Sequence, residues 1–269
     1  MSIRLLYATD LHGDTQKYED VLEFAKEHEI KLIHLGADIL PKGPALLKIQ
    51  KKFVKGYLKH FYARCQYEGI KVLACFGNDD VYTRKKYFRE YADLLDEEPY
   101  ERDGYVFKAY PYVLDYPFGL KTACKLDHAL WERPGYIGIP CDYSESDQYC
   151  IEDIEDYFFK KGTIEEDLKN IHADRKTIMA IHQPPQALGL DICMDGKRVG
   201  SKSVYDWAER EQPLILLAGH IHESYSVTGI WKYQLGKTQI IQPGQHNMKT
   251  TLVVIEVNKE SVTSNLICI

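Results

Sequence analysis

Short apolar runs separated by amphipathic stretches organise the N-terminal part of the chain. Runs at residues 5–9, 31–35 and 70–76 each end at a polar residue or a glycine, which predicts three buried strands. Amphipathic stretches predict a helix after each strand: one after Gly13, one before the third strand, and one at about residues 84–95. This βαβαβα order predicts parallel strands within one sheet.

Two of these helices have specific boundary signals. Asp14 is the expected N-cap of the first helix, and Gly69 is expected to end the second. Apolar side chains recur at helical spacing along one face of each helix. These positions are Tyr18, Val21, Leu22 and Ala25 in the first helix, and Leu47, Phe53, Val54, Tyr57, Phe61 and Cys65 in the second.

The remainder of the chain has a more mixed pattern. Thr163 and Glu166 form a capping-box signature, and an apolar stretch that contains Pro111 predicts an antiparallel hairpin. Residues 186–200 form a long glycine-rich connection, and the absence of a repeat or clear linker predicts a single domain over residues 1–269 with α/β and α+β character. Predicted helices cover residues 163–173 and 201–210, and predicted strands cover residues 105–116, 136–139, 177–181, 214–218, 224–228, 238–242, 250–257 and 261–267.

Five predicted strand ends carry acidic, amide or imidazole side chains. In α/β sheets, ligands bind at the carboxyl ends of strands, and a glycine at such a turn leaves room for a neighbouring group. Each motif alone is common in ordinary turns, so the indication of a functional site comes from their combination. The segments are TDLH (9–12), GAD (36–38), GNDD (77–80), IHQPP (181–185) and GHIH (219–222).

The side chains in these segments are suited to binding metal ions. Residues i and i+2 of an extended segment point the same way, so Asp10 with His12, and His220 with His222, can face common regions. Oxygen and imidazole ligands without thiolates suit Mn²⁺, Fe²⁺, Zn²⁺ or Co²⁺ better than a Ca²⁺ cage or a cysteine zinc site. The candidate ligands are too many for one tetrahedral ion and suit two: Asp10, His12, Asp38, Asn78, His182, His220 and His222.

Composition limits the classes of function without choosing among them. The chain has 269 residues and a net charge of −6, and this acidic balance disfavours nucleic acid as a partner. No secretory signal or membrane-spanning stretch is recognisable, so we expect no membrane partner. The seven cysteines are scattered without a CxxC pair, which favours reduced thiols and a cytoplasmic location.

The ordered set DxH, GxD, GNxD, H and GHxH resembles the calcineurin-like metallophosphoesterase superfamily, from Asp10 to the strands after His222. Residues 189–207, 219–224 and 241–245 (IQPGQ) are similar to small prokaryotic members. The resemblance implies a two-sheet β-sandwich flanked by helices. It also implies two divalent metal ions, Mn²⁺, Fe²⁺/Fe³⁺ or Zn²⁺, and hydrolysis of a small phosphate ester by a metal-bridging hydroxide.

The resemblance also implies a role for each candidate ligand. An alanine separates Gly36 from Asp38 where many members have Gly-Asp, but no other acidic residue is near enough to replace Asp38. The first ion would be held by Asp10, His12 and His222, the second by Asn78, His182 and His220, and Asp38 would bridge the two.

The main departure from the family pattern is Asp79. Many members have a histidine there, generally assigned to leaving-group protonation or transition-state stabilisation. An aspartate with an ordinary pKa of about 3.9 is ionised at neutral pH, and nearby cations lower that pKa further. Asp79 is therefore a poor general acid, which predicts slow hydrolysis of monoesters with poor leaving groups and a preference for phosphodiesters, nucleotide-like substrates or activated esters. Alternatively, Asp79 caps the helix that follows it, and Asp80 is structural.

Two functions of different classes stay open from the sequence. One is a binuclear metallophosphoesterase, and the other is a catalytically weak scaffold of the same fold that binds a protein partner. The missing histidine allows the scaffold, the complete set of candidate ligands opposes it, and the acidic charge disfavours a nuclease. His34 is expected in the core and His246 is a weak candidate for substrate contact. We expect the specificity pocket within residues 110–150 and 186–200.

Overall fold

Two six-stranded sheets form the centre of the molecule. A computed structural model describes residues 2–114, 123–131, 141–245, 248–258 and 261–269. The strands in chain order are β1 (Ile3–Ala8), β2 (Leu32–Leu35), β3 (Lys71–Ala74), β4 (Asp93–Leu94), β5 (Tyr100–Arg102), β6 (Tyr105–Tyr110), β7 (Val113–Leu114), β8 (Cys124–Lys125), β9 (Cys141–Tyr143), β10 (Gln148–Cys150), β11 (Thr177–Ile181), β12 (Ile215–Leu217), β13 (Lys232–Leu235), β14 (Thr238–Ile241), β15 (Thr251–Val257) and β16 (Val262–Cys268).

Helices lie between and outside these strands. A π-helical turn at Val54–Leu58 joins α2 to α3, and a 3₁₀ turn at Tyr82–Arg84 precedes α4. The helices are α1 (Thr15–Glu27), α2 (Leu46–Phe53), α3 (Lys59–Tyr67), α4 (Lys85–Phe88), α5 (Ile154–Lys161), α6 (Ile164–Lys169), α7 (Lys202–Glu211) and α8 (Ser224–Thr228).

The first sheet has the strand order β16-β15-β1-β2-β3-β4. Strands β1 to β4 are parallel to one another, whereas β15 runs antiparallel to both β1 and β16. Helix α1 connects β1 to β2, and the α2–α3 segment connects β2 to β3. The predicted βαβ order and the parallel pairing of the first three strands are therefore confirmed.

The second sheet has the order β13-β14-β12-β11-β6-β5. Its four inner strands are parallel, and the edge strands β5 and β13 are antiparallel to their neighbours. Strands β7 and β8, and β9 and β10, form two separate short pairs.

The two sheets pack face to face between layers of helix. Alternate residues of the strands meet between the sheets, among them Leu5, Tyr7, Phe107, Ile178 and Leu217. The outer face of the first sheet buries α1 and α3, and the outer face of the second buries α6 and α7, with Trp207 fully buried. This four-layer arrangement confirms the expected two-sheet sandwich flanked by helices.

Local signals in the sequence set several helix boundaries. The Asp14 carboxylate accepts a hydrogen bond from the Gln16 amide at 3.0 Å, as expected of an N-cap. The predicted capping box of α6 is complete, because the Thr163 and Glu166 side chains each accept the other's amide. Gly69 has a φ of +67° just after α3 ends, which is the left-handed conformation that glycine favours.

Three predictions of secondary structure were wrong in part. The helix expected at residues 84–95 ends at Phe88, because buried Leu94 joins the first sheet in β4 and the Leu95 amide donates to the Ala74 carbonyl at 2.8 Å. The antiparallel hairpin lies earlier than expected. It is formed by β5 and β6 around the Asp103–Gly104 turn, where both residues have positive φ, so Pro111 follows β6.

The third error concerns the segment after His222. Residues 224–228 form α8 instead of a strand, with the Thr228 hydroxyl donating to the Ser224 carbonyl at 2.9 Å and Gly229 ending the helix in the left-handed region. Strand β13 was not predicted, although Tyr233 and Leu235 alternate with polar residues along it; three of its four residues are exposed. The strand predicted at residues 136–139 lies outside the described residues.

The helices and the cysteines bear on the class of protein to which the chain can be assigned. Within the described ranges, no helix has both the length and the apolar character that crossing a bilayer requires. The seven cysteines are free thiols, and only Cys150 and Cys268 among them are exposed.

Candidate metal centre

The first sheet brings four of the candidate ligands to one edge. Asp10 and His12 follow β1, Asp38 follows β2, and Asn78 follows β3. Because these three strands are parallel neighbours, their carboxyl ends lie side by side. The loops are joined by backbone hydrogen bonds, since the Asp10 amide donates to the Ala37 carbonyl at 3.0 Å and the His12 amide to the Asp38 carbonyl at 2.9 Å.

The second sheet supplies the three remaining histidines in the same way. His182 follows β11, and His220 and His222 follow β12, its parallel neighbour. The His220 amide donates to both carboxylate oxygens of Asp10 at 3.1 Å, so the two sheets are joined at the site itself. The site therefore lies where the ends of two parallel strand sets face each other across the sandwich.

One group of ligands contains Asp10, His12 and His222, whose ligand atoms all lie within 4.8 Å of one another. The Nε2 atoms of His12 and His222 are 3.0 Å apart, and the His222 Nε2 lies 3.3 Å from Asp10 Oδ1. Two imidazole nitrogens and one carboxylate oxygen thus converge on a common point.

A second group contains Asp38, His182 and His220, also with ligand atoms within 4.8 Å of one another. The His182 Nε2 lies 3.3 Å from Asp38 Oδ2, and the rings of His182 and His220 are 5.1 Å apart at their centroids. Asn78 is buried. It lies next to this group, as shown by the amide of the following residue, Asp79, which donates to Asp38 Oδ1 at 2.8 Å.

The two groups are adjacent. The His12 Nε2 of the first lies 4.0 Å from Asp38 Oδ2 of the second, and the His182 Nε2 of the second lies 3.9 Å from Asp10 Oδ1 of the first. Asp38 therefore stands between them, and the structure brings together all seven residues that the sequence singled out.

Glycines allow the loops to approach this closely. A Cβ atom on Gly77 would lie 2.3 Å from Asp38 Oδ1, and one on Gly219 would lie 2.6 Å from Asp10 Oδ2. Such distances exclude any side chain unless the carboxylates move. The glycines of GNDD and GHIH are thus required by the packing of the ligands themselves.

Four candidate ligands have left-handed backbone angles, with φ between +46° and +71°: Asp10, His12, Asp38 and His220. This conformation is unfavourable for residues other than glycine, and it persists only where surrounding contacts enforce it. The amide hydrogen bonds between the loops provide such contacts, so local strain here is balanced by tertiary structure.

Burial and neighbouring charges prepare these groups for cations. Burial lowers the pKa of His12 to about 4, so its imidazole is neutral at neutral pH. Burial alone would raise the pKa of Asp10, but the charge and hydrogen bond of His222, with His182, hold that pKa well below its usual range. Burial would lower the pKa of His182, but Asp38, with Asp10, outweighs it and raises that pKa, because the two carboxylates favour positive charge at this position.

The donor set fits divalent metal ions of the kind expected. Carboxylate, amide and imidazole groups supply the oxygen and nitrogen ligands that such ions prefer. The His182 Nε2 atom, which faces Asp10 and Asp38, is buried without a hydrogen-bond partner among the described residues. Two acids and four histidines in two adjacent groups are poorly satisfied by one another, and a cation would satisfy them.

Asp80 has a structural position. Its carboxylate is fully buried and accepts hydrogen bonds from the amides of Gly77 (2.9 Å), Ile39 (3.2 Å) and Leu40 (2.7 Å). It therefore ties the loop after β3 to the loop after β2. Burial, and then the nearby charge of Asp38, raise the pKa of Asp80 well above its ordinary value.

Asp79 does not cap a helix. The 3₁₀ turn and α4 that follow it have Val81 and Arg84 at their N-cap positions, neither with a side-chain cap. Instead, the Asp79 carboxylate accepts a hydrogen bond from Asn78 Nδ2 at 2.9 Å and forms an ion pair with Lys42 at 2.7 Å. The capping alternative is therefore wrong.

Three glutamines position the loops of the site. Gln50 carried no recognisable signal in the sequence, whereas Gln242 and Gln245 lie in the IQPGQ segment that resembles the family. The Gln50 side chain donates to the carbonyls of Pro41 (3.2 Å) and Asp79 (2.8 Å), joining two loops of the site. The Gln245 side chain donates to the Thr9 carbonyl at 2.9 Å, next to Asp10, and that of Gln242 donates to the Ile221 carbonyl at 2.8 Å. The IQPGQ segment thus holds the loops that carry Asp10 and His222.

Two other histidines were considered from the sequence. His34 is fully buried in β2, where its ring meets that of Tyr7 at a centroid distance of 5.5 Å, as expected of a core residue. His246 lies outside the described residues.

Comparison with known proteins gives the family. A family model described as calcineurin-like phosphoesterase matches residues 3–224. No curated protein sequence shows significant similarity to the chain. Solved structures of similar fold include a dimetal phosphatase from Danio rerio, with a TM-score of 0.57, 9% identity, and coverage of 98% of this chain and 95% of that chain.

Two further structures share the fold over nearly their whole length. The protein TT1561 of Thermus thermophilus has a TM-score of 0.56 and 14% identity, covering 98% of this chain and 99% of that chain. A phosphatase of Mycoplasma pneumoniae, described as novel, has a TM-score of 0.51 and 12% identity, covering 100% of this chain and 94% of that chain. Identities this low show a common fold alone. Because the family model spans most of the sequence, the chain belongs to the calcineurin-like phosphoesterase family.

Proposed function

We propose that the protein is a binuclear metal-dependent phosphohydrolase that acts on a small phosphate ester. The observation that supports this most is the pair of adjacent ligand groups, each with ligand atoms within 4.8 Å of one another. Asp38 lies between the groups and is the proposed bridging ligand. The first ion is assigned to Asp10, His12 and His222, and the second to Asn78, His182 and His220.

Two divalent cations at such a site act as Lewis acids and activate a water molecule for attack on phosphorus. The residues of this chain hold the site in place for that chemistry. The His220 amide orients Asp10, and the Asp79 amide orients Asp38. The neutral His12 imidazole offers a lone pair without first losing a proton, because burial lowers its pKa to about 4.

We further propose that phosphodiesters or nucleotide-like esters are better substrates than alkyl monoesters. At position 79, where many family members have an imidazole that can donate a proton, this chain has a carboxylate paired with Lys42. Diesters with good leaving groups depend least on such a proton.

Metal reconstitution tests the proposed activity. The purified protein is freed of metal, loaded with Mn²⁺, Fe²⁺ or Zn²⁺, and assayed on an activated diester and an activated monoester. We expect turnover with at least one metal, and its loss in Asp38→Asn and His220→Ala. A wild-type protein that binds two ions but hydrolyses neither ester would instead favour the scaffold that binds a protein partner.

Substitution of Asp79 tests the assigned preference. Asp79→His restores a side chain that can donate a proton, so we expect turnover of an alkyl monoester to rise, by up to about 10²-fold. Asp206→His, on the exposed side of α7, is the matched control and should leave turnover unchanged. An Asp79→His variant with wild-type metal content and no gain on the monoester would contradict the explanation.

A further inference from the structure

Lys42 forms an ion pair with Asp79 at the edge of the metal centre. The Lys42 Nζ lies 2.7 Å from Asp79 Oδ2, and the side chains are 47% and 15% exposed, respectively. The carboxylate is thus largely enclosed while the ammonium group is open to solvent. No motif in the sequence marks Lys42, which stands four positions after Asp38 in the loop that follows β2.

The pair faces the candidate ligands. Ligand atoms of His12, Asp38 and Asp79 lie within 4.8 Å of one another, so the Asp79 carboxylate points into the site. The Lys42 ammonium group contacts that same carboxylate at 2.7 Å. The ammonium group is therefore close to where a phosphoryl group would meet the metal centre.

Gln50 joins the two loops that carry Lys42 and Asp79. It is fully buried, and its amide nitrogen donates to the carbonyls of Pro41 at 3.2 Å and Asp79 at 2.8 Å. Its amide oxygen accepts the Val81 amide at 3.0 Å. The backbones of Pro41, next to Lys42, and of Asp79 are thus fixed to one buried side chain. Gln50 therefore sets the relative positions of the two residues of the ion pair.

We propose that Lys42 binds the phosphoryl oxygens of the substrate and, with Asp79 as its positioning residue, sets which substrate charge the site accepts. This inference rests on the proposed phosphohydrolase function and deepens it. An ammonium group has three donors, so Lys42 can keep its bond to Asp79 and offer another to a phosphoryl oxygen. The arrangement places a positive charge beside position 79, where many family members have a histidine.

The charge balance leads to a specific expectation. With Lys42 present, the negative charge of Asp79 is offset, and a doubly charged monoester can approach. Without Lys42, Asp79 loses this positive charge beside the phosphoryl site, and its carboxylate repels a dianionic monoester more than a monoanionic diester. Removal of Lys42 should therefore change the ratio of the two activities, which loss of a merely structural contact would not do.

The test is a double-mutant cycle on the metal-loaded protein, with Lys42→Ala, Asp79→Asn and the double variant. An activated monoester and an activated diester of the same leaving group are compared. For Lys42→Ala we expect kcat/KM on the monoester to fall by about tenfold, mainly through KM, and by less than about threefold on the diester. Adding Asp79→Asn should recover most of the loss, and Lys42→Arg should retain most of the activity.

A binding measurement accompanies the kinetics. Inorganic phosphate is titrated calorimetrically into each metal-loaded variant at a pH where it is a dianion, and metal content is measured by elemental analysis. We expect weaker phosphate binding in Lys42→Ala with unchanged metal content. Lys48→Ala, an exposed lysine on α2, is the matched control and should behave as wild type.

Three outcomes would overturn the inference. Lys42→Ala could match Lys48→Ala in both kinetics and phosphate binding. It could lose both activities equally, or the double variant could fail to recover the monoester. Loss of metal in Asp79→Asn would make Asp79 a metal ligand in place of a positioning residue. A wild-type protein without turnover fails the proposed function, whereas the phosphate titration still tests Lys42 on its own.

Discussion

Gly219 lies where the loops of the two sheets approach each other, and the contact requires that this residue has no side chain. A Cβ atom there would lie 2.4 Å from Thr9 Oγ1 and 2.6 Å from Asp10 Oδ2. The same residue precedes His220, whose amide binds Asp10 from the opposite sheet. Space at one position is thus a condition for the contact between the two ligand-bearing edges.

Gly219→Ala should therefore weaken metal binding more than folding. We expect the added methyl group to displace Asp10 and reduce affinity for Mn²⁺ by about 10–100-fold, a size typical of disturbed support around a metal site. Gly56→Ala is the matched control, because no heavy atom lies within 4 Å of a Cβ built there. Calorimetric titration with Mn²⁺ measures both, and equal affinities in the two variants would contradict the prediction.

His34 should make stability depend on pH. Burial lowers its pKa to about 3, and neither ring nitrogen has a hydrogen-bond partner in the described part of the chain. Below its ordinary pKa of about 6.5, the unfolded chain binds a proton that the folded protein does not. The free energy of unfolding therefore falls as pH decreases from that value toward about 3.

His34→Phe should remove this contribution while keeping the T-shaped ring contact with Tyr7. Between about pH 6 and pH 4 the variant should lose less stability than the parent, by up to about 1.4 kcal/mol per pH unit. Urea unfolding at several pH values measures the slope. His60→Phe, on the exposed side of α3, is the control, and parallel slopes for parent and His34→Phe would refute the assignment.

At the scale of elements, the N-terminus of α7 is held by a distant residue. The Asp127 carboxylate is fully buried and accepts hydrogen bonds from the Ser201 hydroxyl (2.5 Å) and the Lys202 (2.9 Å) and Ser203 (3.3 Å) amides. These amides have no partner within the helix, and a negative charge there also suits the helix dipole. Asp127 therefore joins α7 to the segment around β8.

Asp127→Ala should destabilise the protein by about 2–3 kcal/mol, because buried amides and a hydroxyl lose their acceptor. Asp206→Ala, an exposed partner of Lys202 on the same helix, should cost less than about 0.5 kcal/mol. Denaturant midpoints compared at constant m-value measure both variants. Similar midpoints for the two variants would show that the hydrogen bonds to Asp127 do not stabilise the protein.

Pairing between strands explains why some predictions of secondary structure failed. The apolar residues of 84–95 suit a helix, but the open edge of β3 takes Leu94 into the sheet as β4. Strand β13 is exposed on most of its length and is defined by backbone pairing to β14. Where a partner strand decides the element, as at β4, the periodicity of the segment itself carries little information.

At the scale of the whole molecule, the candidate metal centre connects the two sheets. Asp10, His12, Asp38 and Asn78 follow strands of the first sheet, and His182, His220 and His222 follow strands of the second. A bound ion would thus hold both halves of the sandwich together. We propose that the chain is one domain over residues 1–269 and that metal binding stabilises it as a unit.

Thermal unfolding should therefore show one transition that metal shifts upward. At a free Mn²⁺ concentration of about 100 times the dissociation constant, the stabilisation should reach about 2.7 kcal/mol for one site. A chelator should reverse it, and His220→Ala should show a smaller shift. Two separate transitions, or a shift confined to one of two, would contradict the single-domain proposal.

The sequence by itself determined the parallel order of the first strands, the capped helices and the seven residues that meet at the strand ends. It could do so because apolar periodicity, caps and the punctuation after each strand are local signals, and because parallel strands bring their carboxyl ends together. The family pattern then supplied the division of these residues between two ions.

Only the tertiary structure decided the surroundings of these residues. Lys42 and Gln50 have ordinary neighbours in the sequence. Their roles, and that of Gln245, come from contacts between loops far apart in the chain. The tertiary structure also shows that Asp79 forms an ion pair with Lys42 and does not cap a helix. Such contacts depend on how two sheets and their loops pack, and no pattern along a single segment encodes that geometry.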